Sequence, residues 1–274
     1  MRSLLALIFF LAMLSSQGQP IKVMTYNIRY DTPKDSINQW SKRTHKIYAL
    51  IQKYDPDLIG LQEVLHHQLM DLLANLPAYT HIGVGRDDGK TNGEYSAILY
   101  KKDRFKAVNQ NTFWLSETPD VPGSKSWDAA ITRVASWGTF QDLQSRKEFL
   151  MINTHFDHIG KEARKHSAAL LKQKANEIAK NSPLIITGDF NFTRKDPPYS
   201  TIMDPTGIKL TDSAPANSPG TACTFKVNSV PCTGIDYIFH SQSISSKEYQ
   251  VIQDNDGKYY PSDHLPVMVT INIK

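Results

Sequence analysis

Short apolar runs that end in a polar, chemically capable residue recur along this chain, and this pattern constrains its fold most. Ile21-Lys22-Val23-Met24-Thr25-Tyr26 reads as a strand and is followed by Asn27. Leu58 to Gln62 is a second strand, closed by Glu63. Phe149 to His155 is nearly all apolar before Asn153-Thr154-His155-Phe156-Asp157-His158, and Leu184 to Thr187 runs into Gly188-Asp189-Phe190-Asn191. Further strands are expected at Tyr95 to Tyr100, Val134 to Phe140, Ile235 to His240 and Pro266 to Ile273. Between them lie stretches of helical period: Trp40, Ile47, Ile51 and Tyr54 share one face, stopped by Asp55-Pro56. Leu69 to Leu76 and Gly160 to Lys180 read as helices, the second with Ala168, Leu171, Ala175 and Ile178 inward. Strands alternating with helices predict a layered α/β fold. Spacing alone does not decide between one sheet and two.

The 274 residues suffice for one large domain, and no repeat, low-complexity tract or linker divides them. We expect a single catalytic domain over residues 19–274, behind a signal peptide at residues 1–18. Arg2 supplies its positive start, Leu4 to Leu14 its apolar run, and Ser16-Gln17-Gly18 the small residues around a cleavage point. That run is too short to span a membrane, which takes about 20 apolar residues. The expected location is therefore secreted or periplasmic. In such an oxidising setting the two cysteines, Cys223 and Cys232, are expected to pair. The net charge of +4 suits an anionic substrate without demanding nucleic acid.

In α/β folds, sites gather where strands end. Asn27 offers an amide there. Glu63, closing an apolar strand, needs a partner, and a hard divalent cation would supply one. His155 is placed to act as acid or base, with His158 ranked below it. Asp189 and Asn191 stand two apart, so in extended backbone they share a face. Asp263-His264 enters the last strand, and Asp236 is placed to orient a histidine. Together they suit metal-assisted phosphoryl chemistry, in which a cation neutralises charge while acid and base groups move protons.

At these residues the chain resembles the endonuclease/exonuclease/phosphatase superfamily, also called deoxyribonuclease I-like. The matching motifs are Thr25-Tyr26-Asn27-Ile28-Arg29, Leu61-Gln62-Glu63-Val64, Asn153-Thr154-His155, Gly188-Asp189-Phe190-Asn191 and Ser262-Asp263-His264. The resemblance implies a four-layer α/β/β/α sandwich and dependence on Mg²⁺ or Mn²⁺. It implies Glu63 as main metal ligand with Asn27 beside it and Asp263 completing the site. Asp189 and Asn191 would position water and phosphate. His155 and His264 would flank the phosphate, oriented by Glu94 and Asp236. The base is either His264 or Asp189. Many relatives carry Arg-Ile-Asp where this chain has Gly234-Ile235-Asp236, so a phosphate contact from that arginine is missing. The stretch Trp127 to Gly138 is similar to a bacterial secreted branch, loosely related to the deadenylase and nocturnin-like branch. In it Arg133 is a candidate phosphate ligand, or else an ion-paired strand residue.

The expected function is thus hydrolysis of phosphate esters by in-line attack of water, as a phosphodiesterase or a phosphatase. A secreted nuclease is the first alternative, and a binding protein that kept the fold without catalysis is the second. Gly83 to Lys90 shows little of the basic density a nucleic-acid track needs. Phe113-Trp114-Leu115 and Trp127 could form a lipid-facing loop, but core is the favoured reading.

Overall fold

The computed structural model describes residues 19–274; the expected signal peptide lies outside the described residues. The elements in chain order are β1 (Ile21–Asn27), α1 (Trp40–Tyr54), β2 (Leu58–Gln62), α2 (His66–Asn75), β3 (Tyr79–Ile82), β4 (Ile98–Lys101), β5 (Phe105–Trp114) and β6 (Val134–Asp142). They continue with β7 (Glu148–His155), α3 (Lys161–Ala179), β8 (Leu184–Asp189), α4 (Pro197–Met203), β9 (Leu210–Asp212), β10 (Asp236–Ser241), β11 (Ile244–Val251) and β12 (Val267–Ile273).

Two mixed sheets result, ordered β11-β12-β1-β2-β4-β3 and β5-β6-β7-β8-β10-β9. Alternation along β1 shows how they stack. Met24 and Tyr26 join Ile47, Leu50, Ile51, Leu69 and Leu72 in an outer apolar layer under α1 and α2. Ile21 and Val23 face the other way and meet Phe140, Phe149 and Met151 of the second sheet. On the far side Ala168, Leu171 and Ala175 of α3 pack on Leu150, Ile152 and Ile186. The order is helix, sheet, sheet, helix, the deoxyribonuclease I-like sandwich. α1 ends where Asp55 turns left-handed (φ 50°) and its N–H bonds the Ile51 carbonyl, and Pro56 bars continuation. Phe113, Trp114 and Leu115 are buried, as core.

The two sheets meet through a polar seam as well as apolar contacts. Gln62 Nε2 donates to Asn153 Oδ1 (2.7 Å) and to Thr25 Oγ1 (3.0 Å). Asn153 Nδ2 donates to the carbonyls of Leu61 (2.8 Å) and Ala97 (2.9 Å). Thr187 Oγ1 donates to Asn153 Oδ1 at 2.9 Å. All four side chains are buried. Gly60 makes this approach feasible, since a Cβ there would lie 2.1 Å from Thr187 Oγ1. Thr25, Asn153 and Thr187 each stand two residues before Asn27, His155 and Asp189, on the same strand face.

Candidate active site

The strand registers bring the polar ends together at one edge. β1 and β2 run parallel with Asn27 opposite Gln62, so Asn27 and Glu63 emerge side by side. In the second sheet His155 lies opposite Asp189 across parallel β7 and β8, and Asp236 opposite Asp189 across antiparallel β8 and β10. Asp189 is therefore flanked by an imidazole strand and a carboxylate strand. Asp263 and His264 arrive just ahead of β12, which pairs with β1. Arg29, Glu63 and Asn191 all hold left-handed backbone (φ 59°, 59° and 50°), conformations uncommon outside glycine. Strain of this sort concentrates at working sites.

One corner is rich in carboxylate. Arg29 lies 3.8 Å from Glu63 and 3.9 Å from Asp263. Burial raises the Asp263 pKa, against the pull of His264, and Glu63 pushes it further up. Mutually repelling acids with hard oxygen donors fit a divalent cation such as Mg²⁺. Glu63 and Asp263 are the residues that would hold it. Asn27 is oriented otherwise than expected of a ligand. Its Nδ2 donates to Glu63 Oε1 (3.1 Å) and Asp189 Oδ2 (3.0 Å), and its Oδ1 accepts from the Arg29 N–H (3.0 Å). It bridges the two carboxylates as a donor, because between two anions the amide turns its N–H groups inward.

The second corner is an acid–imidazole–acid series. His264 Nδ1 lies 3.0 and 3.2 Å from the two Asp236 oxygens, and its Nε2 is 3.8 Å from Asp189. Asp236 is fixed in turn by the Thr221 hydroxyl at 2.5 Å. Burial alone would lower the His264 pKa, but Asp236 and Asp189 outweigh it and hold the ring protonated well above the usual range. Burial raises the Asp189 carboxyl, Asp236 adds to this, and His264 opposes it. One ligand atom from each of Asp189, Asp236 and His264 falls within 4.8 Å of the others. With Nδ1 already paired to Asp236, this trio is better suited to proton handling than to a metal.

The third corner is only partly paired, and in it His155 Nε2 lies 3.4 Å from Asp189 Oδ2. Asn191 Nδ2 donates to His155 Nε2 (3.1 Å) and to the Phe156 carbonyl (3.0 Å). The ring proton then sits on Nδ1, which is buried and has no hydrogen-bond partner among the described residues. Burial, with Arg133 next, drives the His155 pKa well below its ordinary value, so the ring stays neutral. Arg133 is only 5% exposed, yet its Nε and Nη1 have no hydrogen-bond partner among the described residues. Its Nη2 lies 3.1 Å from His158 Nδ1, and its Nε is 3.8 Å from Asp157. Asp157 is already held by the N–H groups of Ala130, Ile131, Ile159 and Gly160.

Besides Asn27, two expectations need correction. Glu94 does not orient a histidine. It forms a bidentate pair with Arg86 (2.7 and 2.8 Å), the stronger charge-assisted partner within its reach. Asp189 and Asn191 do not share an extended face. Asp189 ends its strand, its Oδ1 accepts the Asn191 N–H (3.0 Å), and Asn191 turns left-handed, which aims its amide back at His155.

Sequence reasoning overlooked Thr221 and Arg43. Arg43 donates to the carbonyls of Ile28 (2.5 Å), Arg29 (2.6 Å), Asn38 (2.8 Å) and Pro261 (3.2 Å), tying the loop after β1 to the one carrying Asp263. A cation on the apolar stripe between Trp40 and Ile47 was its visible signal. Thr221, fifteen residues before Asp236, left none.

The sequence profile of the Endonuclease/Exonuclease/phosphatase family matches residues 24–264, nearly the whole described chain. The protein belongs to that family. It is thereby a family hydrolase, and structural similarity agrees. A family protein from Bacteroides thetaiotaomicron superposes with a TM-score of 0.88 at 41% identity, covering 94% of this chain and 100% of that one. A mannosyl-6-phosphatase from the same species gives 0.86 at 42% identity, covering 92% and 99%. The human nocturnin catalytic domain, with bound sulfate, shares the fold (TM-score 0.75, 24% identity, 93% and 95% covered). Among curated sequences, Drosophila melanogaster nocturnin is 25% identical over 68% of this chain, but the match spans 31% of that longer protein.

Proposed function

We propose that the protein is a phosphatase dependent on Mg²⁺ or Mn²⁺, and that sugar phosphates are its substrate class. The observation that carries this reading is Arg133: a buried guanidinium with two nitrogens unpartnered among the described residues, beside His155, is a socket for an oxyanion. Arg133 and His158, 3.1 Å apart, and protonated His264, 3.8 Å from Asp189, are the groups we assign to the charge of a terminal phosphate dianion. A cation held by Glu63 and Asp263 would neutralise phosphate charge. Asp189, raised by burial, is the base we assign for water, and His264 donates to the phosphate. Asp236 and Thr221 hold His264 in place. Asn191 fixes the neutral tautomer of His155, leaving its Nδ1–H to donate. The likeness to the mannosyl-6-phosphatase supports a sugar leaving group. The Cys223–Cys232 disulfide supports an exported, oxidising setting. Among the described residues, no helix is long and apolar enough to cross a membrane.

The test is phosphate release by residues 19–274 from a hexose 6-phosphate, an aryl phosphodiester, DNA and RNA, with Mg²⁺, Mn²⁺ or EDTA. EDTA-sensitive release from the hexose phosphate is the expected result. Cleavage of nucleic acid without release from the hexose phosphate would overturn this reading in favour of a nuclease.

A further inference from the structure

A cavity of about 340 Å³ lies against the outer side of the catalytic rim. Asp236 and Thr221 belong to both. Its volume falls in the range of small-molecule sites. One wall is the segment after Asn191, carrying Thr193 and Arg194; the other is a hairpin from Gly220 to Gly234. The hairpin is closed by the Cys223–Cys232 bond and by paired Ala222 and Thr233 (N–H to carbonyl 2.9 and 2.8 Å). Gly220 is required where the two arms touch, since a Cβ there would lie 2.0 Å from the Cys232 carbonyl. Gly234 is the opposite case: a Cβ there would meet nothing within 4 Å. The space that a side chain would take at that position is left to the cavity.

The chemistry of the walls narrows the occupant. Arg194 offers no free charge. It is spent on Asp212 (2.9 and 2.6 Å) and on the carbonyls of Ala214, Pro215 and Ala216 (2.5, 2.8 and 3.3 Å). The Tyr237 ring is stacked on Phe239 at 5.2 Å and buried, so it presents no open face to a nucleobase. The remaining lining is mixed: the hydroxyls of Thr193 and Ser218, the edge of half-buried Tyr249, glycine backbone, small apolar surface from Ala214, Ala216 and Pro219, and exposed Lys195. Such walls suit a polyhydroxylated ring, whose hydroxyls can accept hydrogen bonds from Lys195 as well as from Thr193 and Ser218.

We infer that this cavity receives the hexose ring of the substrate, beside the phosphate site. The inference rests on the sugar-phosphatase reading, and its test is independent of turnover. Saturation-transfer NMR on the metal-free protein, with free mannose and glucose as probes, reports the ring alone. Wild type is expected to give transfer. Gly234→Leu, which puts a side chain into open space, is expected to weaken binding about tenfold or more; Ser218→Ala, a surface hydroxyl loss that threatens no core, about threefold. No transfer to either hexose in wild type overturns the inference, even if phosphatase activity is present. Transfer that both variants retain at wild-type strength overturns it as well. Hexose binding lost in Gly234→Leu, with no phosphate release by the wild type, supports the cavity and overturns the phosphatase reading alone.

Discussion

The two histidines beside Asp189 stand in opposite surroundings. His264 is tied to Asp236, which is tied to Thr221 on the disulfide-closed hairpin, so the ring is held through Nδ1 while Nε2, 3.8 Å from Asp189, is left to the phosphate. His155 keeps a bare Nδ1, next to Arg133 with two bare nitrogens among the described residues. Burial lowers the pKa of both rings; at His264 Asp236 and Asp189 outweigh it and make the ring a cation, whereas at His155 burial prevails and Arg133 adds to it. A satisfied flank is ready before substrate comes. An unsatisfied one is completed by the substrate, and its cost in the free protein is recovered on binding.

The largest test of this contrast is His264→Ala. It removes the proton donor from the finished flank and is expected to lower kcat by about 10²–10⁴-fold. A smaller loss, read in steady-state phosphate release, would show that the His264–Asp236 pair is structural. On the other flank, inorganic phosphate at a hundred times its Kd should stabilise wild type by about 2.7 kcal/mol. Arg133→Met should lose that gain in a thermal melt. An equal phosphate shift in the variant would place the oxyanion elsewhere. The smallest effect concerns His155. Its folded pKa lies below the ordinary value of 6.5, so as pH falls below that point the unfolded chain binds a proton that the folded chain refuses. Stability from this group is thus complete above pH 6.5 and lost toward its folded pKa. Urea melts between pH 7 and 5 should show wild type losing up to about 1.4 kcal/mol per pH unit relative to His155→Gln. Parallel curves would mean that His155 is not held neutral.

How much of this was legible in the sequence depended on position within the sheets. The eight inner strands all stood out as apolar runs. The four overlooked, β3, β5, β9 and β11, are the four sheet edges. Edge strands carry exposed polar residues, as in Asn109-Gln110-Asn111 of β5 and Ser245-Ser246-Lys247 of β11, and both of these also slip register at a bulge. Such features deter sheet-to-sheet pairing, and they also erase the alternation that marks a strand. At the site, motif residues were found because strands deliver them in order. Their partners were not. Glu94 went to Arg86 because a loop decided the distance, and Thr221 reached Asp236 through a hairpin whose shape no short motif records.

The buried seam of Gln62, Thr25, Asn153 and Thr187 acts as a key in a lock. Apolar faces slide past one another with little penalty, whereas these hydrogen bonds exist at a single alignment of one sheet on the other. Glu63 and Asp263 come from the first sheet, His155, Asp189 and Asp236 from the second. A displacement of one residue step between the sheets would leave each half intact and part the carboxylates from the phosphate groups. The seam therefore sets the alignment of a machine assembled from two pieces, and Gly60, with no side chain of its own, is the keyhole.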